Sequence, residues 1–298
     1  MSPVPLLLVG HGTVDTRGVA EFTSFTERLR RTMTGTDVAG GFIELAAPSV
    51  NEAWRELTER GHSLFAAVPL VLVAAGHAKG DIPAALEREV RRQPGTRYRF
   101  GRPLGPHPTL LAVLVDRIAA VAPERDLAET AVVLVGRGST DPDANAEISK
   151  VARLLQETGG FPFVETAFVS LARPNVTEGL RRAVLLGARK IVVAPYFLFD
   201  GVLPQRVVTQ ALAFAEAEPG VDVRVAGYLG DCAPLADLVV ERYHEALHGD
   251  IRMNCDTCAY RVLLPGFEDK LGAPQTPHHH PDDPAHGHGH GHAGVRDD

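Results

Sequence analysis

The feature that most constrains this chain is that it says nearly the same thing twice. LLLVGHGTVD (6–15) returns as VVLVGRGSTD (132–141), and FIELAAPSV (42–50) returns as FVSLARPNV (168–176). PLVLVAAGH (69–77) returns as PYFLFDGV (195–202), one residue shorter, and PLGPHPTLLAVLVDR (103–117) as YLGDCAPLADLVVER (228–242). Four matches in order, at a spacing of 126 residues before the glycine-containing loop and 125 after it, describe a duplicated unit with one deletion. Each copy alternates short β-branched runs with helical patterns. Strands are expected near 4–9, 38–44, 65–74 and 97–100, then near 131–135, 164–169, 190–198 and 222–226. Runs this continuously apolar belong to strands covered on both faces, hence to parallel sheets flanked by helices. The fold expected is α/β, with two similar domains of about four parallel strands each. The join falls near Ala122–Ala128, so the units read as 1–124, 125–249 and a different segment over 250–298.

A hydrophobic content of 45% with 22% charged residues is that of a globular chain, and a net charge of -7 without a basic cluster argues against a nucleic-acid partner. The opening MSPVPLLLVGHG has no basic region before its apolar run and reads as a buried strand, and no run reaches the length of a membrane span. A cytoplasmic protein is the expectation. The last segment begins with Met253-Asn-Cys255-Asp-Thr-Cys258 and ends in HHHPDDPAHGHGHGH, which holds seven of the 13 histidines. A stretch with nothing apolar to bury is expected to lack fixed structure and to offer weak sites for Co²⁺, Fe²⁺ or Ni²⁺.

Ligands of open α/β sheets sit at the carboxyl ends of the strands. Three metal-capable side chains fall there in the first copy. His11 follows the first strand, Glu44 ends the second and His77 follows the third. Two imidazoles and a carboxylate suit a borderline divalent ion such as Fe²⁺, Co²⁺, Ni²⁺ or Zn²⁺, with coordination positions left over. The second copy is an internal control: it carries Arg137, Ser170 and Val202 or Leu203 at the matching positions, while Gly136, Gly138, Leu171 and Pro174 of the scaffold are kept. A purely structural trio would be needed twice. Lys79, Arg137, Arg173 and Arg206 are cations on expected strand-end loops and are candidates for binding an anionic substrate. His107 reads as a loop histidine with a backbone contact, and Trp54 as packing of a helix on the sheet.

LVGHGT (8–13), FIELAAPS (42–49) and LVAAGHAKGDIP (72–83) together resemble the class II chelatases, the family of sirohydrochlorin cobaltochelatases and ferrochelatases. FVSLARPNV and PYFLFDGVLPQRV (195–207) resemble that family's degenerate second copy. The double length, the Met-x-Cys-x-x-Cys motif and the histidine-rich region are similar to its long cobalt-dependent form. Thr13 departs from the commoner serine. What the resemblance implies is insertion of a divalent metal into sirohydrochlorin with release of two protons, His11 and His77 as active-site histidines and Glu44 as the metal-site carboxylate. It also implies an iron–sulfur centre at Cys255 and Cys258, although two thiolates do not complete a four-cysteine site and Cys232 lies in another segment. The chain would act as a monomer with an internal pseudo-dimer, or as a homodimer. Imidazole titrates near pH 6.5, so it can both ligate a metal and take a pyrrole proton. Two other readings remain: a metal-binding or metal-delivery protein without catalysis, and a phosphatase with a histidine nucleophile. The second chemistry wants arginine just before the histidine, where Gly10 stands.

Overall fold

A computed structural model describes residues 3–249 and 268–272. The first copy runs β1 (Leu6–Gly10), α1 (Thr16–Thr32), β2 (Val38–Phe42), α2 (Val50–Glu59), β3 (Leu64–Pro69), α3 (Ile82–Arg92), β4 (Arg97–Phe100) and α4 (Pro108–Ala119). The second repeats the order as β5 (Thr130–Gly136), α5 (Pro142–Gly159), β6 (Val164–Phe168), α6 (Val176–Leu185), β7 (Lys190–Pro195), α7 (Val202–Ala217), β8 (Asp222–Val225) and α8 (Ala233–His248). All pairings are parallel, with strand orders β2-β1-β3-β4 and β6-β5-β7-β8. The expected pair of four-stranded parallel sheets is therefore present. The observed strands end earlier than the apolar runs do: β3 stops at Pro69 and β7 at Pro195, because the chain turns away from the sheet while remaining buried or half-buried. β2 stops at Phe42, so Glu44 stands two residues beyond the strand.

The helices start where their caps dictate. Asp15 and Asp141, matched in the repeat, cap α1 and α5. Ser49 with Glu52 and Asn175 with Glu178 form capping boxes at α2 and α6, again in register with the duplication. Side chains at the outer face of the first sheet (Leu7, Val9, Trp54, Leu57, Phe65, Leu86) form one core with α2 and α3. Trp54 is fully buried, with its ring centroid 4.5 Å from that of Phe65, as the sequence led us to expect. The second sheet has the same arrangement with α6 and α7.

The inner faces share a single core. Leu6 and Leu8 of one sheet, Val132 and Leu134 of the other, and residues of α1, α4, α5 and α8 all belong to it. The final helix of each copy covers the other copy's sheet: α8 packs on β3 and β4, and α4 packs on β7. Two arginines at matching repeat positions fasten the exchange. Arg117 of α4 donates to the carbonyls of Tyr228 and Leu229, and Arg242 of α8 donates to those of Pro103 and Leu104. Arg242 is 1% exposed, and its guanidinium also meets Glu241 and Glu245. The carboxyl ends of both sheets are thereby held facing one cleft.

Candidate active site

Because β1 lies between β2 and β3, the loops that follow these three strands are neighbours, and they carry His11, Glu44 and His77 together. His11 Nε2 is 2.9 Å from His77 Nε2 and 3.0 Å from Glu44 Oε1. The two rings stand almost edge to face, with centroids 4.0 Å apart. Side-chain exposures of 18% for His11, 12% for His77 and 34% for Glu44 leave the cluster mostly buried but still reachable.

Local backbone geometry brings Glu44 to His11. Gly12 adopts φ +112°, and a Cβ there would stand 1.8 Å from the carbonyl oxygen of Glu44. The Glu44 amide donates to the His11 carbonyl at 3.1 Å. Leu45, next along, has φ 65°, a left-handed conformation that costs a branched side chain free energy and recurs at its repeat partner Leu171.

Both imidazoles are oriented through Nδ1. That atom of His11 lies 3.1 Å from the Gly12 carbonyl oxygen, which can only accept. In His77 it lies 2.6 Å from Asp81 Oδ2, on the turn His77–Asp81 that leads into α3. This turn is a single π-helical one, a form common at functional sites. Acceptor-only partners put the proton on Nδ1 of both rings. The His11 Nε2 lone pair then faces both the His77 Nε2 lone pair and the Glu44 carboxylate. Lone-pair donors about 3 Å apart repel unless a cation, either a proton or a metal ion, lies among them. Among the described residues no group of three His, Cys, Asp or Glu side chains, this trio included, is spaced to hold a metal ion as it stands. The trio here is drawn together instead, since ligands of a tetrahedral ion with 2.0–2.1 Å bonds sit about 3.3 Å from one another. A widening of a few tenths of an ångström would bring the two His11 contacts, at 2.9 and 3.0 Å, to that spacing.

Asp81 was not singled out from the sequence. The signal was its i, i+4 spacing from His77, which becomes visible only once residues 77–81 are known to form a helical turn rather than a strand end. Replacing Asp81 with alanine should weaken Co²⁺ binding at this cluster about 10–100-fold, by freeing the His77 ring and its tautomer. A titration of visible Co²⁺ absorption, with a His77→Ala protein as baseline for other binding, measures this.

His11 and His77 line one wall of a cleft of about 400 Å³ between the two copies, and Glu44 meets His11 outside that lining. The first copy contributes His11, Thr13, Phe22, Leu45 and Leu70 to Ala78 in part; the second contributes Arg137 to Asp141, Asn145, Leu171 and Tyr196 to Pro204. Apolar side chains dominate, as is usual for a small-molecule pocket. Arg137, the repeat partner of His11, lies in the opposite wall. The Tyr196 hydroxyl, at the repeat position of Leu70, is buried without a hydrogen-bond partner among the described residues, and burial raises its pKa.

The other cations go elsewhere. Lys79 Nζ is bound by Asp141 at 2.7 Å and Asp143 at 3.0 Å, with only 6% of its side chain exposed. Burial opposes its charge, but the hydrogen bonds and charges of the two aspartates outweigh burial and hold its pKa above the usual value. Arg173 is 81% exposed and pairs with Glu178 beyond the cleft lining. Arg206 lies on α7 and is not among the residues lining the cleft. His107 caps α4, accepting from the Thr109 amide at Nδ1, which is the backbone contact expected of it. His62 pairs with Asp37 at 2.7 Å. Cys232 is a free thiol at the start of α8. Cys255, Cys258 and the histidine-rich tail lie outside the described residues. No helix among the described residues is long and apolar enough to cross a membrane.

Two duplicated parallel sheets, with an imidazole–carboxylate trio kept at the strand ends of one copy only, define a two-lobed chelatase of the class II type. The sequence profile described as CbiX matches residues 5–121 and again 131–246, and the chain belongs to that family. It is 35% identical to the sirohydrochlorin cobaltochelatase of Priestia megaterium over 260 residues, covering 86% of this chain and 84% of the relative. Similarity to the sirohydrochlorin ferrochelatase of the same organism is 33% identity over 202 residues, covering 68% and 76%. Among solved structures, SirB from Bacillus subtilis with Fe³⁺ superposes with a TM-score of 0.71 at 26% identity, covering 82% of this chain and 95% of that one.

Proposed function

We propose that this chain inserts a divalent metal, Co²⁺ in preference, into sirohydrochlorin, and that His11, His77 and Glu44 carry the reaction. The observation behind this is that a second imidazole and a carboxylate meet His11 Nε2 at one point, with His77 Nε2 2.9 Å and Glu44 Oε1 3.0 Å away. Such a point holds one cation at a time, so metal and proton exchange there. Delivery of M²⁺ from this trio to the macrocycle leaves two imidazoles and a carboxylate free. The two pyrrole protons, which must depart for the metal to bind four nitrogens, then have acceptors at hand. The balance is M²⁺ plus the free macrocycle giving the metallated macrocycle and two protons, which pass to these residues and on to water. The cleft's apolar walls favour the ring's faces and exclude water, and Arg137 offers a bidentate partner for a peripheral carboxylate.

Under this reading the first copy bears the chemistry and the second, degenerate in its ligands, supplies the far wall. One chain thus provides both walls. The choice of Co²⁺ rests on the similarity to a cobaltochelatase over most of both chains and on the histidine-rich tail, a reservoir suited to Co²⁺ or Ni²⁺. Fe²⁺ is the second reading, favoured by the similarity to a ferrochelatase and by a donor set that accepts either ion. The family resemblance motivates an iron–sulfur centre at Cys255 and Cys258, for which a second chain would have to supply the missing thiolates; it takes no part in the proton balance above. Mixing the protein with sirohydrochlorin and Co²⁺ should change the macrocycle's absorption spectrum well above the uncatalysed rate. A rate equal to the uncatalysed one would favour a metal carrier instead.

A further inference from the structure

We propose that Lys79 is a positioning residue: it ties the turn bearing His77 to the ligand-free copy, which thereby fixes where the metal-binding imidazole stands. The inference rests on the reading of His77 as a metal ligand. Lys79 sits two residues after His77 on the same five-residue turn, and its amide donates to the Ala75 carbonyl at 2.9 Å. Its side chain does not point to solvent or into the cleft. It crosses to the start of α5 in the other copy, where Asp141 and Asp143 receive its ammonium at 2.7 and 3.0 Å. All three side chains are buried, at 6%, 2% and 3% exposure.

The turn is consequently held from two sides. Asp81 orients the His77 ring from within it, and the Lys79 anchor sets its position from the opposite lobe. Asp141 is itself fixed, because its Oδ1 accepts from the Asp143 amide as the cap of α5. The matching loop of the second copy is also anchored across the cleft, but differently. Its Asp200 meets Arg17 at 3.1 Å near the start of α1, where Arg17 is 53% exposed. The charge order is reversed, Arg17 is largely exposed, and the second hold on that loop is a backbone one, the Asp200 amide donating to Glu21 at 2.9 Å. The ion pair buried on both sides belongs to the loop that carries a ligand. A buried ion pair adds little net stability once desolvation is counted, so its role at this loop is read as fixing a geometry. The degenerate copy therefore does more than wall off the substrate.

The test compares Co²⁺ binding by full-length proteins without tetrapyrrole, each read as a visible-absorption difference from its own His77→Ala counterpart, so that the tail cancels. Lys79→Met should raise the Co²⁺ concentration for half-saturation about tenfold, as is typical when a partner that orients a ligand is lost. Because that variant takes the cation away from two buried carboxylates, the K79M/D141N/D143N protein, in which all three charges are removed and asparagine keeps the helix cap, should show the same weakening. Lys79→Arg should recover part of it. Arg102→Met, which breaks the cross-copy pair of Arg102 with Glu245 at 2.7 Å, should leave Co²⁺ binding unchanged. Wild-type affinity in both anchor variants, or equal weakening by Arg102→Met, overturns the proposal. If the wild-type protein itself gives no difference from His77→Ala, the ligand role of His77 falls, and Lys79's role with it.

Discussion

Replacing either His11 or His77 with alanine is expected to lower kcat for metal insertion by about 10²–10⁴-fold, or about 3–5 kcal/mol of barrier. Each ring serves twice in the proposed reaction, first as a ligand and then as a proton acceptor, and no neighbouring group can replace a convergent Nε2. The two imidazoles work on one ion, so the effects should not add: the H11A/H77A protein should be hardly slower than either single variant. Neither ring belongs to the apolar core, and thermal unfolding should shift little. Following the macrocycle's spectrum at saturating Co²⁺, beside a melting curve for each variant, measures both quantities. Near-normal turnover in the single variants would remove the mechanism.

Gly12→Ala should be nearly as damaging, by a different route. The new Cβ would lie 1.8 Å from the Glu44 carbonyl oxygen, on a backbone with φ +112° that L-residues rarely adopt. Strain and overpacking together should cost roughly 2–5 kcal/mol of stability. The relief available to the chain is to push the Glu44 loop outward, which separates the carboxylate from His11 Nε2. Lost stability and lost insertion are therefore expected together. Gly138→Ala provides the comparison, since its Cβ would meet the Ser170 carbonyl at 1.9 Å in the copy that lacks the ligands. It should destabilise to a similar extent and slow insertion less. Chemical denaturation of the two variants, paired with their insertion rates, separates the contributions.

Much of this architecture could be read from the chain alone. A repeat whose two copies alternate apolar runs with helical patterns leaves few folds open, and the loss of His11, Glu44 and His77 equivalents from the second copy isolates the reactive trio. Strand ends were less legible. Leu70 to Ala74 stay apolar because they line or support the cleft, and an apolar run does not reveal that Pro69 has ended the pairing. The exchange of α4 and α8 was invisible as well. Arg117 and Arg242 look like ordinary helix-surface cations, and only the three-dimensional arrangement turns each toward carbonyls of the other copy. The same holds for the candidate substrate cations. Spacing put Lys79, Arg173 and Arg206 on strand-end loops, but not on a particular side of them, and Arg206 falls instead within the first turns of α7. Lys79 faces a pair of buried aspartates, and Arg173 is drawn outward by the capping glutamate Glu178. Only Arg137, which inherits the position of His11, reaches the cleft by virtue of the repeat itself.

Diffraction from crystals of the full chain soaked in Co²⁺, collected at the cobalt absorption edge, tests most directly whether the trio receives the metal. The expected anomalous peak lies between His11 Nε2, His77 Nε2 and the Glu44 carboxylate, about 2.0–2.2 Å from each, with the two nitrogens moved slightly apart. A fully loaded protein whose cobalt lies elsewhere, with the two imidazoles still 2.9 Å apart, would contradict it.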